Sequence, residues 1–386
     1  MKCRICKNKL FSNPILELRG MPVAAQHFLN KNQLHLDKKK KIDIFQCKTC
    51  GLVQLKIKPV SYYKDVITAA SISGDTKKLR LNQMNEFSEK FGLKNKKVIE
   101  IGCGKGSMLD IIEQAGMRSY GIENSKKSVL FAKKYKRNVL PGYITDITKL
   151  KSAPFDAFIC FNFLEHAPNP KLFINKIFDN LNENGVGLVT VPNLDYLIKT
   201  KSFYEFVSDH LSYFTKNTLK FAFENNKFKV LSIDYINNKN DIIAVVKKSN
   251  HFKPKKKINV TRLKLEKEFN EVENLIKTLK EISKKYQKNK KKIAIWGAGH
   301  RTLALLSLSK FKKIEYIVDS AKFKQGKYSP INHNKIVPPE TLKRKKIDLL
   351  IVMVPGIYPD EVIKTVKRMN LNLKIAKLED NKIIFI

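Results

Sequence analysis

The sequence predicts an α/β protein built on a doubly wound, Rossmann-like sheet, with a small cysteine-rich module before it and a second Rossmann-like α/β domain after it. Three observations predict this. The apolar run Val98–Ile101 ends in a glycine turn and leads into helical spacing from Ser107. Strand-like and helical patterns then alternate to about residue 250, as in a parallel sheet with helices on both faces. A second strand-to-glycine turn occupies Ile293–Gly299. At 386 residues the chain exceeds one typical core. The expected division is a module over 1–75, the main domain over 76–250, a linker and hinge helix over 251–289, and the last domain over 290–386.

The first glycine turn organises the rest. Gly102, Gly104 and Gly106 alternate, so the backbone can turn sharply and approach a ligand without a Cβ in the way. The helix that follows leaves amide donors free at its start. Glu100, at the strand end, would repel a phosphate and suits a cationic or zwitterionic ligand. Cys103 sits inside the turn. Ser119–Glu123 reads as the next strand, with Glu123 at its tip about 20 residues on, where an acid meets ribose hydroxyls. Tyr143–Ile147, including Asp146, offers polar and apolar contacts for an adenine. Phe155–Asn162 reads as the fourth strand, with Asn162 at the carboxyl end, where open α/β sheets bind ligands. His166 either lines that pocket or caps the helix that follows. Gly187–Asn193 completes a fifth strand and its loop.

Six cysteines occur, four of them as Cys3 with Cys6 and Cys47 with Cys50. Two such pairs can fill a tetrahedron around one Zn²⁺, and four sulfurs leave no open position, so the site is expected to be structural. The alternative is a redox pair. His27 and His35 lie between the pairs and are not needed as ligands.

Asp209 and His210 are the best candidates for catalysis. Histidine titrates near neutral pH, and an adjacent carboxylate can orient it. Further on, Leu265, Phe269, Val272, Ile276 and Leu279 mark one apolar helical face, fit either for packing across two domains or for a short dimer coiled coil. Before it, residues 251–257 read as an exposed linker. In the last domain, Asp319 ends a strand after the second glycine turn, but Thr302 stands where the third glycine of a dinucleotide fingerprint belongs, which argues against a nicotinamide cofactor.

Composition narrows the partners. No run of about 18 apolar residues exists, so no membrane span is expected. The N-terminus has no apolar signal region, which predicts a cytoplasmic protein. The net charge of +40 invites a nucleic-acid reading. Against it, only nine of the 75 basic residues are Arg, and the Lys residues spread over the whole chain. Abundant Asn and Ile point instead to an AT-rich genome. The charge still suits a diphosphate substrate.

The turn from Glu100 to Gly106 resembles the acid-and-glycine signature of class I S-adenosylmethionine methyltransferases. The cysteine pairs, with Ile15–Leu18, Met21, Pro22 and Gly51–Leu55, resemble the zinc module that precedes a family of sugar C-methyltransferases. Leu164–His166, Val191–Asn193 and Asp209–Phe214 resemble that family's middle domain. Asp319, Phe323–Tyr328, Pro330 and Ile336–Pro339 resemble its C-terminal domain, which covers the substrate. The resemblance implies a class I methyltransferase fold with S-adenosylmethionine held by Glu100, Gly102, Cys103, Gly104, Gly106, Glu123, Asp146 and Asn162. It implies zinc as scaffold and a nucleotide-activated 4-keto-hexose as substrate, methylated on carbon 3 through an enolate. His210 would be the base or proton relay, with Asp209 orienting it, His166 lining the pocket, and Gly299, His300 and Arg301 near the substrate, Arg301 for an anionic group.

Three positions depart from that family. Ile72 stands where its proposed tyrosine base belongs, and Val207 and Ser208 replace a tyrosine and a histidine. An O-methyltransferase for a surface-polysaccharide sugar or another anionic metabolite would need fewer polar groups. An RNA-binding zinc protein would use the charge.

Overall fold

The computed structural model describes residues 2–23, 28–64, 74–250, 260–311 and 313–386. His27, the stretch holding Ser71, Ile72 and Ser73, and the 251–257 linker lie outside the described residues.

The N-terminal module is an antiparallel sheet of β1 (Leu16–Pro22), β2 (Lys39–Gln46) and β3 (Val53–Leu55). Alternation builds it: Leu16 and Leu18 point inward while Glu17 and Arg19 face water. Helix α1 (Gly74–Phe91) then enters the main domain and packs Met84 and Phe87 on α2 (Ser107–Gln114) and its surroundings.

The main sheet contains β4 (Lys97–Ile101), β5 (Arg118–Glu123), β6 (Val139–Pro141), β7 (Phe155–Phe161) and β8 (Leu181–Pro192). A short strand, β9 (Ser212–Tyr213), leaves this domain to pair with β3, Val53 facing Tyr213. The domain closes with the hairpin β10 (Phe228–Ile236) and β11 (Asp241–Lys248). Spatial order is β10-β11-β8-β7-β4-β5-β6, with β11 antiparallel to both neighbours and the other strands parallel. This is the class I methyltransferase order, and its strands reverse direction of winding between β4 and β7. Ligands bind outside the carboxyl ends at such a switch point.

Side-chain caps fix where the helices start. Ser125 caps α3 (Lys126–Lys134). Asn169 caps α4 (Pro170–Asp179), whose first turn holds a proline, and Asn193 caps α5 (Leu194–Lys199). A Thr215–Thr218 pair closes the start of α6 (Lys216–Glu224).

Helix α7 (Asn270–Lys288) follows a turn at Leu265–Glu268. It buries Val272, Leu275, Leu279, Ile282 and Tyr286, with Leu265 ahead of it, while Phe269 and Ile276 flank that face half-buried. Its partner is α8 (His300–Ser309) of the last domain, which settles its face as a domain-packing surface. That domain has β12 (Ile293–Trp296), β13 (Ile314–Val318), β14 (Ile336–Val337), β15 (Leu349–Val352), β16 (Lys374–Glu379) and β17 (Lys382–Phe385). The order is β14-β13-β12-β15-β16-β17, parallel except for β17, with α9 (Thr341–Arg344) and α10 (Tyr358–Arg368) between strands.

One apolar core runs through all three parts. Leu16 and Ile44, then Phe203, Tyr204 and Phe206, then Leu279, Leu303 and Ile317 belong to the same buried cluster. The three parts are therefore packed against one another. No described helix is long and apolar enough to cross a membrane.

Candidate active site

All three glycines of the turn are left-handed: φ is 76° at Gly102, 53° at Gly104 and 79° at Gly106. Only glycine adopts this run without strain. Gly102 and Cys103 donate to the Ile122 carbonyl, which ties the turn to β5. Cys103 is buried, and its sulfur lies where a side chain at position 121 would stand, so Gly121 makes room for it. Glu123 is buried at the tip of β5 and accepts from Gly104 N at 3.0 Å and Ser125 N at 2.7 Å. Glu100 is only 8% exposed, and its Oε2 has no hydrogen-bond partner. Burial pushes its carboxyl up to about 8. An orphaned acid beside a glycine cradle is the arrangement that a ligand ammonium would satisfy.

Asp146 sits at the surface in an ion pair with Lys64 at 2.6 Å. Beside it, Tyr143 is buried between the rings of Tyr63 and Phe163. Asn162 is exposed at the end of β7 with φ of 45°, a conformation that asparagine tolerates. It accepts from Thr190 and donates to Asp241 at 3.1 Å. Asp241 also accepts from Asn237 at 2.9 Å, and Asn237 accepts from Ile357 N at 3.1 Å in the last domain. A hydrogen-bonded line thus runs from the carboxyl end of β7 into the last domain.

Three histidines meet at the junction. His210 lies between His166 and His300, with ring centroids 4.8 Å away on each side. Burial, then the neighbouring His300 and His166, hold His210 well below the usual histidine range. His300 is pushed down to about 4, chiefly by burial. His166 donates from Nδ1 to the Asp209 carbonyl at 2.7 Å, which leaves Nε2 as an acceptor. Both histidines beside His210 are thus neutral near pH 7.

Asp209 is 1% exposed and turns its carboxylate to Tyr62, whose hydroxyl donates at 2.6 Å. Its charge raises the basicity of His166 and His300. The sequence reading paired this acid with His210 and overlooked Tyr62, which lies 147 residues away in the chain. The fold therefore brings a tyrosine hydroxyl to the histidine cluster by another route than position 72. Val207 and Ser208 are buried, and Ser208 donates to Pro22 in β1.

Glu165 underlies the cluster. It is buried, its Oε2 has no partner, and burial pushes its carboxyl up to about 8. In the unfolded chain such a carboxyl ionises near 4.5. Its contribution to stability is therefore full below about pH 4.5 and is lost as pH rises to about 8. Glu165→Gln keeps the neutral shape and does not titrate, so the wild-type minus variant difference in Tm should fall steadily from pH 5 to about 8, the variant becoming the more stable. A difference independent of pH would show that Glu165 is ionised in the fold.

The four thiols form a separate cluster. Cys3 and Cys50 sulfurs are 3.6 Å apart and those of Cys6 and Cys47 are 3.4 Å apart, too far for disulfides and close to the edge of a zinc–thiolate tetrahedron. Thr49 and Cys50 amides donate to the Cys47 sulfur, as suits a thiolate. Arg4, between Cys3 and Cys6, donates to Leu55, Ile57 and Pro168 carbonyls and so pins the knuckle to the main domain. Glu165, His166 and His210 also bring ligand atoms within 4.8 Å of one another.

In the last domain Asp319 accepts from the Ala298 and Ala321 amides and from Lys324. These bonds tie the second glycine turn to the loop that follows β13. Arg301 donates from Nε and Nη2 to Glu205, at 2.9 and 2.6 Å. It joins the two domains, and its expected anionic partner is an internal one.

Comparison with known proteins follows this division. Residues 77–233 match the methyltransferase domain family, and residues 237–372 match the C-methyltransferase C-terminal domain. The chain is 27% identical over 118 residues to a ubiquinone biosynthesis O-methyltransferase of Actinobacillus pleuropneumoniae, covering 28% of this chain and 50% of that protein. It is 22% identical over 242 residues to the C-methyltransferase NovU of Streptomyces niveus, covering 60% of this chain and 57% of that protein. The chain thus spans about half the length of the curated relatives it matches. Among solved structures, a SAM-dependent methyltransferase from Archaeoglobus fulgidus overlaps 45% of this chain and 94% of its own, at 17% identity and a TM-score of 0.38.

Proposed function

We propose that this methyltransferase places a methyl group from S-adenosylmethionine on carbon 3 of a nucleotide-activated 4-keto-hexose, by way of an enolate. The observation that carries the reading is the meeting of His166, His210 and His300, drawn from both matched domains, beside Asp209 and Tyr62. The C-methyltransferase match over residues 237–372 supports carbon as the acceptor. Carbon methylation needs a base next to a carbonyl, and the junction supplies a neutral imidazole.

The cleft residues fit the donor. Glu123 would take the ribose hydroxyls, Tyr143–Ile147 with Asp146 the adenine, and Glu100 the ammonium, against the Gly102–Gly106 turn and Asn162. When bound, the donor supplies an electrophilic sulfonium methyl. His210 removes the proton from the carbon beside the ketone, and the C–H electron pair moves into the enolate. His300, neutral and adjacent, offers an N–H to the oxygen on which charge gathers. Asp209, fixed by Tyr62, steadies the positive charge that spreads over the histidines. Zn²⁺ on Cys3, Cys6, Cys47 and Cys50 would act only as scaffold.

Glu123→Ala should weaken S-adenosylhomocysteine binding about ten- to a hundredfold, since it removes charge-assisted hydrogen bonds to ribose and to Gly104. Calorimetry checks this, and unchanged affinity would remove Glu123 from the ribose role. Similarity to O-methyltransferases favours oxygen as the second acceptor. A screen of sugar nucleotides with methyl-labelled donor, read by NMR, decides between them: a carbon-bound label supports the proposal and an oxygen-bound label overturns it.

A further inference from the structure

Glu165 has no part in the proton transfer proposed above, and its surroundings point to a second ligand. Leu164–His166 forms one tight turn after β7, so Glu165 and His166 leave the sheet side by side. The His210 segment is tied to that turn twice. Leu211 N donates to the Glu165 carbonyl at 2.8 Å, and His166 Nδ1 donates to the Asp209 carbonyl at 2.7 Å. A Glu165 oxygen and one ring nitrogen each from His166 and His210 consequently lie within 4.8 Å of one another.

These donors are not spent on each other. His166 Nε2 stands 3.8 Å from Glu165 Oε1, too far for a hydrogen bond. Glu165 is 2% exposed, and its Oε2 has no hydrogen-bond partner among the described residues. A buried polar atom left unpaired needs a reason. Donors around a tetrahedral Zn²⁺ are about 3.4 Å apart, so the observed separations close by small side-chain rotations. The other nitrogen of His166 is already held by a backbone carbonyl, the support that orients a ligating imidazole. Both histidines are only half-buried, so the donors are open to solution. Two imidazoles with one carboxylate suit Zn²⁺ and leave a coordination position free. Metal binding displaces a ligand's proton, so a carboxyl that is protonated without the ion can still serve.

We infer, resting on the reading of His210 as the base, that Glu165, His166 and His210 form a second, open Zn²⁺ site, and that an ion bound there switches proton removal off. The ion takes the lone pair with which neutral His210 would accept the substrate proton. Zinc and the keto sugar then compete for one imidazole, and free zinc sets the active fraction. The four-cysteine cluster, closed and distant in role, is unaffected.

The test uses the full chain with its four-cysteine metal in place. Calorimetry with added Zn²⁺ should show one further equivalent bound, at micromolar affinity or tighter. Co²⁺ at this site should give visible d–d absorption without the near-ultraviolet band of thiolate ligands. Proton removal is read as deuterium exchange onto the carbon beside the ketone of a 4-keto sugar nucleotide in heavy water. Exchange should fall in step with the filling of the added site. Glu165→Gln keeps the shape but loses the anionic donor. It should weaken the added ion at least about tenfold while zinc-free exchange stays within about threefold of wild type. Unchanged S-adenosylhomocysteine affinity shows that this variant is folded, and the wild-type measurements stand without it. Absence of a further equivalent, equal zinc affinity in wild type and Glu165→Gln, or exchange that persists with the site filled would overturn the inference. If wild type shows no exchange even without added zinc, the enolate reading itself fails, and zinc binding with its loss in Glu165→Gln still decides the metal site separately.

Discussion

Replacing His210 with Asn is expected to lower kcat by about 10²–10⁴ while leaving S-adenosylhomocysteine affinity within about twofold. Asparagine keeps a polar side chain of similar size but cannot accept the proton. The ring is enclosed between two other imidazoles, and burial keeps it neutral at pH 7. A neutral base needs no prior deprotonation, so turnover should not fall between pH 8 and 6 through a histidine titrating near 6.5. Proton removal can be read apart from methyl transfer. With a 4-keto sugar nucleotide in heavy water and S-adenosylhomocysteine in place of the donor, wild type should exchange deuterium onto carbon 3. The His210→Asn chain should not. Exchange retained at the wild-type rate would transfer the role of base to another group.

Removing the metal, or replacing Cys47 with Ser, should unfold the N-terminal module. Structural zinc in small modules contributes about 10–16 kcal/mol to folding. The damage should reach the active site, because β3 pairs with β9 just after His210 and Tyr62 follows β3 by a few residues. Arg4 would lose its hold on Leu55, Ile57 and Pro168 at the same time. Metal analysis should find about one zinc per chain, and Cys47→Ser should show neither zinc nor turnover. Full thermal stability in a zinc-free protein would remove the four-sulfur site.

Local patterns made the fold readable. The glycine turn, the strand tips at Glu123 and Asn162, and the apolar face of α7 are each written within a few turns of chain, and short-range sterics decide them. The active-site junction was only half readable. Asp209 and His210 are adjacent in sequence, and the resemblance placed His300 near them, but Tyr62 and Asp241 come from distant strands and loops. No local spacing encodes those meetings. One signal was present and passed over. In a chain that uses lysine almost everywhere, four of the nine arginines mark places where a planar guanidinium is used: Arg4 on three carbonyls, Arg137 on Asp110, Arg301 on Glu205, and Arg80 above Phe161.

The line from Asn162 through Asp241 and Asn237 to Ile357 joins the carboxyl end of β7, where the donor is proposed to bind, to the last domain. By thermodynamic reciprocity, whatever factor an occupied donor cleft adds to substrate affinity, the substrate must return to the donor. Spent donor would hold the sugar product as firmly as the product holds it, so release of either one would loosen the other.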